Sequence, residues 1–261
     1  MGKFQIYQYI RAFLLVLLLS VGSFLQGEDC LDQQFYFGPE CYDVLRIRAK
    51  TSHQQGGVYG ARIGYDRVQG SKLYWGVNAL LAGGTLQGKT KAENKLKSHF
   101  TDWNAEARLG YTFETKICQD ILFTPFLGYG YAEEKNNFVH PTTLPVHFKI
   151  YYQYACAGFL SQLFFLDRWS VGFNFKALYP LDARNRVSND PDYEAFTMKI
   201  QEKLHYRLEL PFTYQCRSNL WLQAIPIYEY RQYGKQANYP FDFLETRLRI
   251  YGGALRIRYL F

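Results

Sequence analysis

Residues 101–114 read TDWNAEARLGYTFE, and their two alternating sets of side chains are unlike. Trp103, Ala105, Ala107, Leu109, Tyr111 and Phe113 form one set; Asn104, Glu106, Arg108, Gly110, Thr112 and Glu114 form the other. A β-strand sends successive side chains to opposite faces, so period 2 gives this segment one apolar and one polar face. The same pattern recurs outward from it. In 169–179, Trp169, Val171, Phe173, Phe175, Ala177 and Tyr179 alternate with Ser170, Gly172, Asn174 and Lys176. In 204–215, Leu204, Tyr206, Leu208, Leu210, Phe212 and Tyr214 alternate with His205, Arg207, Glu209, Thr213 and Gln215. In 58–67, Tyr59, Ala61, Ile63 and Tyr65 stand against Gly60, Arg62, Gly64 and Asp66.

These segments are long. Strands of soluble sandwiches run to about five or six residues, whereas a strand crossing a bilayer at a tilt needs about nine to eleven. The apolar faces also begin or end in aromatic rings, as at a membrane–water boundary. Composition agrees, with 23 Tyr and 21 Phe beside only 2 Met in 261 residues. Ten segments emerge, at 41–50, 58–68, 73–88, 101–114, 121–135, 147–163, 169–181, 203–216, 221–233 and 246–261. Short connections at 69–72, 115–120, 164–168 and 217–220 alternate with longer ones at 51–57, 88–100, 136–146, 182–202 and 234–245. The expected fold is all-β, a single antiparallel up-and-down transmembrane β-barrel of about ten strands, with eight or twelve as alternatives. An even count puts both chain ends on the side of the short turns.

The first residues, MGKFQIYQYIRAFLLVLLLSVG, carry Lys3 and Arg11 before an apolar run from Ala12 to Leu19. That is the layout of a signal peptide covering 1–22, with cleavage after Gly27 a weaker choice. Residues 23–40 are expected to form a periplasmic N-terminal segment and 41–261 the barrel. No later window holds 18 consecutive apolar residues, so no spanning helix is expected beyond the leader. Losing Lys3 and Arg11 leaves 28 basic against 23 acidic residues, a mild basic excess that suits an anionic lipid surface.

The chain ends IYGGALRIRYLF, with Tyr251, Leu255, Ile257, Tyr259 and Phe261 on one alternating face. With the leader and the segmental pattern, this resembles the outer-membrane β-barrel proteins of Gram-negative bacteria. The resemblance is to the class and implies an outer-membrane location. It also implies a last strand read by the barrel assembly machinery, with outer-membrane lipid and lipopolysaccharide as surroundings. Export argues against nucleic acid as a partner, and the surface ligand stays unassigned.

The polar faces would fill the lumen with a charge network: Arg46, Arg48, Arg62, Asp66, Glu106, Arg108, Glu114, Lys176, Arg207, Glu209, Glu229, Arg231, Arg256 and Arg258, with Asn78 among them. Ten strands enclose little more than a side-chain-filled interior, and buried charges must pair. A salt-bridged plug is therefore expected, with a structural or surface-exposed, loop-mediated binding role. The long connections 182–202, with its Asn189-Asp190-Pro191-Asp192 turn, and 234–245, with Tyr239 and Phe241, are where a ligand would be met. The alternative is a narrow, anion-preferring channel. Its wall would be Arg46/Arg48 and Arg256/Arg258, brought together if the first and last strands close the barrel.

A barrel enzyme ranks third. The five histidines His53, His99, His140, His147 and His205, with the acids Asp182, Asp190, Asp192 and Asp242, supply candidates for a protease but no motif. Ser52–His53 and Ser98–His99 do not reproduce a lipid-modifying site. No catalytic residue, cofactor or metal site is assigned. Five cysteines, Cys30, Cys41, Cys118, Cys156 and Cys216, leave one thiol over in any pairing. Cys30 and Cys41 are spaced to close a short loop by a disulfide, or to stay as unbonded small residues.

Overall fold

The computed structural model describes residues 33–49, 51–116, 120–143, 146–237 and 242–261. Six long strands come first: β1 (Gln33–Arg48), β2 (Ser52–Arg67), β3 (Lys72–Thr90), β4 (Lys95–Lys116), β5 (Asp120–Phe138) and β6 (His147–Leu166). Then come β7 (Trp169–Val171), β8 (Asn174–Ser188), β9 (Phe196–Lys199), β10 (His205–Glu209), β11 (Phe212–Arg217), β12 (Leu220–Tyr233) and β13 (Thr246–Leu260). All pairings are antiparallel, and β1 pairs with both β2 and β13, so the sheet closes on itself. β7 and β8 together make one stave, and β9, β10 and β11 make the next. Ten staves form the ring.

The interruption between these composite staves has a local cause. Pro211 has no N–H to give to the ladder. Its carbonyl instead accepts from the Gly172 amide at 2.8 Å. On the other side, Ser161 Oγ donates to the Phe173 carbonyl at 2.7 Å and accepts from the Phe173 amide at 2.9 Å, replacing a ladder pair by a hydroxyl. A bulge sets Asp182 and Ala183 against Tyr152, with Asp182 at φ 50°.

The expected strands are present, but most of them run further. The barrel begins at Gln33 rather than at 41, so part of the supposed periplasmic segment 23–40 is wall. Residues 1–32, with the leader, its cleavage site and Cys30, lie outside the described residues, as do Cys118, Tyr239 and Phe241. Connections expected at 51–57, 88–100 and 182–202 shrink to 49–51, 91–94 and 189–195, because the strands on either side continue through them. β4 alone has 22 residues. At about 3.3 Å per residue and a tilt near 40°, such a strand climbs well beyond an apolar band about 25 Å tall. Polar side chains on the outward face of these extensions break the apolar alternation without ending the strands.

The outer face records where the membrane stops. Phe37, Ile63, Leu109, Leu127, Leu255 and Ile257 are exposed on a continuous apolar band. Trp169, Phe113, Phe123 and Tyr259 ring its lower end, and Tyr59, Tyr129, Tyr179 and Tyr251 its upper end. Above that ring the outward positions turn polar, with Gln55, Lys89, Lys97, Lys135, Arg186 and Arg247. Exposed rings of this kind are costly in water and suit a lipid boundary.

Candidate functional site in the barrel lumen

Alternation sends one residue in two inward, and the lumen these residues fill has three tiers. The upper tier, where the strands overshoot the bilayer, is apolar. Val44, Val58, Leu86, Phe100, Phe148, Ile150, Val187 and Leu248 are all buried there. Polar side chains within it are satisfied by one another: Gln54 Nε2 donates to Ser98 Oγ at 2.9 Å, and Ser98 Oγ donates to Asn136 Oδ1 at 2.7 Å.

The middle tier is a belt of ion pairs. Glu40, fully buried on β1, accepts from Arg62 Nε at 2.7 Å, Arg256 Nη2 at 2.8 Å and Arg207 Nη2 at 3.2 Å. Arg207 continues to Glu209 at 2.8 Å and Glu229 at 2.9 Å. Arg231 takes Glu229 at 2.6 Å and reaches Asp102 with both terminal nitrogens, at 3.0 and 2.7 Å. A second cluster centres on Glu106, which receives Arg108 at 2.5 Å, Lys176 at 2.7 Å and the Tyr154 hydroxyl at 2.9 Å. Arg62 also donates to Asn78 Oδ1 at 2.6 Å, and the Tyr233 hydroxyl donates to Glu134 at 3.1 Å. Charge-assisted bonds of this density offset the cost of burying each ion only as a complete set.

Luminal glycines make room for the rings that pack above and below this belt. A Cβ on Gly64 would lie 2.3 Å from the Tyr36 ring, and one on Gly130 2.5 Å from the Tyr154 ring. Gly128 likewise lies under Cys156, as its inward position in 121–135 suggests.

The lower tier is roomier. It holds a cavity of about 90 Å³, whereas two others, at about 20 and 10 Å³, lie against Arg207, Glu229 and Arg231 of the belt. A water needs about 10–15 Å³ on this measure, so the upper two hold one each at most.

The sequence-derived luminal residues fall as follows. Arg46, Arg62, Glu106, Arg207, Arg231 and Arg256 are buried, and Asp66, Arg108, Lys176, Glu209, Glu229 and Arg258 line the cavities. Arg48 stacks over the Phe148 ring at 5.2 Å, and Glu114 is exposed at the lower rim beside Gly70. The two Arg pairs do not meet. Arg46 is registered with Leu248, while Arg258 is registered with Tyr36. Antiparallel pairing sets the end of β1 against the start of β13, which puts the pairs at opposite ends of the barrel. Glu40, Asp102 and Glu134 are belt residues absent from the sequence reading. Glu40 lay outside the expected first strand, although Phe35, Tyr36, Phe37 and Glu40 already keep its period-2 pattern.

Tyr251, Leu255, Ile257, Tyr259 and Phe261 share the exposed outer face. Cys41 is exposed in the middle of β1, Cys156 is buried in the lumen, and Cys216 is half-buried. Among the candidate acid–base residues, His205 bonds the Gln232 carbonyl at 3.1 Å and is flanked edge-on by Tyr152 and Tyr233. Asp182 pairs with Arg184 and Lys199, and Asp190 accepts the Asp192 amide. Ser98 and His99, as neighbours on a strand, point to opposite faces.

No protein-family model matches the chain, and no curated protein sequence matches it. Solved structures do match by fold. The outer membrane protease OmpT of Escherichia coli superposes with a TM-score of 0.60 at 7% identity, covering 91% of this chain and 99% of its own. The translocator domain of the autotransporter NalP of Neisseria meningitidis gives 0.50 at 9% identity, covering 97% and 96%. The transport unit of the Escherichia coli autotransporter AIDA-I gives 0.50 at 9%, covering 91% and 94%. The chain therefore shares the fold of these outer-membrane β-barrels, and its exposed apolar outer face fits a lipid surround.

Proposed function

We propose that this chain is a closed, non-catalytic barrel that holds a rigid scaffold in the outer membrane and presents its elongated upper rim to the outside. The observation that carries this reading is the pair Arg231–Asp102, which spans the lumen from β12 to β4, half-way round the ring. With Glu40 and its three arginines below, it fills the lumen at mid-height with paired side chains. A channel would need a hydrated path between these ions, and above the lower cavity the spaces between them shrink to about 20 and 10 Å³. An enzyme would need a base oriented toward a substrate. The buried His205 faces two tyrosines, while Asp182 is held by Arg184 and Lys199 and Asp190 accepts a backbone amide.

The partners that fit are lipid and lipopolysaccharide at the outer face and the assembly machinery at β13. At the rim, the turn at 189–195 carries an exposed Tyr193 and is the place for a surface ligand. Removing all of 182–202 would take out wall, since Asp182–Ser188 belong to β8 and Phe196–Lys199 to β9. Vesicles loaded with the refolded protein should fail to swell in small sugars, while a general porin in the same lipid swells. Swelling at the porin's rate would reject the closed scaffold.

A further inference from the structure

The cavity of about 90 Å³ below the belt has an unbalanced wall. Its cations are Arg62, Arg108, Lys176, Arg207, Arg256 and Arg258, against the carboxylates Asp66 and Glu209. Four of the six have carboxylate partners: Arg62 has Glu40, Arg207 has Glu209, Glu229 and Glu40, and Arg108 and Lys176 share Glu106. Asp66 is engaged by the Tyr74 hydroxyl at 2.9 Å. Arg256 spends Nη2 on Glu40 and Glu209, but its buried Nε has no partner, and the residue is only 8% exposed. Arg258, two positions on and therefore on the same face, has no carboxylate within ion-pair distance among the described residues. Its Nη2 donates to Gln34, and its guanidinium lies 5.7 Å from the Trp221 ring.

We propose that this cavity is a binding site for a small oxyanion, a phosphate or a carboxylate group, admitted from the periplasmic side. The donor set is right for it. An arginine fork matches the paired oxygens of such groups, and an enclosed cation without a counter-charge is costly. At about 10–15 Å³ per water on the measure used above, the cavity holds about six to nine waters, room enough for a phosphate or acetate group. The belt seals the upper side, so the site is a blind pocket and not a segment of a pore.

The site rests on the closed lumen of the proposed function. A conducting barrel would refute both, whereas a silent barrel that binds no anion refutes the site alone. Calorimetric titration of the refolded chain in zwitterionic micelles, with sodium phosphate in one arm and sodium acetate in the other, tests it. We expect saturable one-to-one binding in at least one arm, and the stronger arm names the class of group. Arg258→Gln should weaken binding by about tenfold or more and Arg258→Lys by less, the guanidinium fork being lost but not the charge. Arg48→Gln, at the far end of the lumen, should leave binding unchanged. Should Arg258→Gln fail to fold, chloride-35 line broadening on the unmodified protein, reversed by phosphate, reads the same site. No saturable binding in either arm, no reversible broadening, equal binding by Arg258→Gln, or equal loss in Arg48→Gln overturns the proposal.

Discussion

Arg231 on β12 grips Asp102 on β4 through both terminal guanidinium nitrogens, at 3.0 and 2.7 Å, although 129 residues and half the barrel's circumference separate them. The pair is nearly dry, at 5% and 6% side-chain exposure. It ties opposite walls together at the level where the upper apolar core gives way to the charged belt.

Breaking one side of that pair should be costly. Asp102→Ala leaves Arg231 facing only Glu229 and the more distant Glu134, and loss of one partner of a buried pair typically costs about 3–5 kcal/mol. Replacing both residues by apolar ones, Asp102→Leu with Arg231→Met, should recover most of the loss. Urea unfolding in lipid vesicles, followed by tryptophan fluorescence, gives the coupling. A double variant no better than Asp102→Ala would mean the pair is not acting as a unit.

The belt's interior also depends on a side chain that is absent. Gly64 lies opposite Tyr36 across the β1–β2 ladder, and a Cβ there would sit 2.3 Å from the ring. Gly64→Val should destabilise by about 1–3 kcal/mol, the usual cost of overpacking, and Tyr36→Ala in the same chain should relieve part of it. The heat-dependent gel shift reads both. An unshifted midpoint in Gly64→Val would show that Tyr36 can swing away without loss.

A modest pH response belongs to the rim. Hydrogen bonding from Arg184, helped by its charge and that of Lys199, holds the Asp182 carboxyl below its ordinary range. A carboxyl with a depressed folded pKa adds stability that is present above its unfolded value and is lost as pH falls through the folded one. The β8–β9 hairpin should therefore loosen below about pH 4, near the unperturbed aspartate value. Amide exchange at Thr197 and Met198 should quicken there, and Asp182→Asn should remove the step. The carboxyl is well exposed, so the effect is local and small. An acid step that persists in Asp182→Asn would assign it to another group.

Cys156 gives a test of the lumen's packing. It is 5% exposed, beside Gly128 and below the belt's aromatic layer. A maleimide should reach it only after unfolding, while Cys216 at the lower end reacts in the folded barrel. Ready labelling of Cys156 in the folded state would mean a wetter interior than the ion pairs imply.

Much of this was legible in the primary sequence because a barrel wall obeys a local rule. The inward placement of Arg207 and Glu209 follows from residues 204–215 alone. The strand number follows from counting such segments. Partners do not follow from it. Arg207 meets Glu40 across 167 residues, and only closure of the ring brings them together. The sense of pairing misled the reading of the two Arg pairs, since adjacency of β1 and β13 says nothing about which ends meet until antiparallel register is imposed. Loop lengths were overread for another reason. Above the membrane both faces of a strand are free to be polar outside and apolar inside, so His53, Thr85 and Lys97 interrupt the lipid signature without ending the strand. The cavity at Arg256 and Arg258 was half visible: the cations and Glu106 follow from alternation, but Glu40, which takes Arg62, Arg207 and Arg256, lies outside the expected first strand.

The central claim is that the lumen is shut, and single-channel recording tests it most directly. The refolded mature chain, shown to be folded by its gel shift, is placed in a planar bilayer beside Arg256→Gln/Arg258→Gln and Asp102→Ala/Arg231→Ala variants. A silent wild type, with steps emerging only when Asp102 and Arg231 are both removed, is the predicted result. Discrete steps in the wild type, with an anion preference that falls in the Arg256→Gln/Arg258→Gln variant, would contradict it and make the barrel a channel.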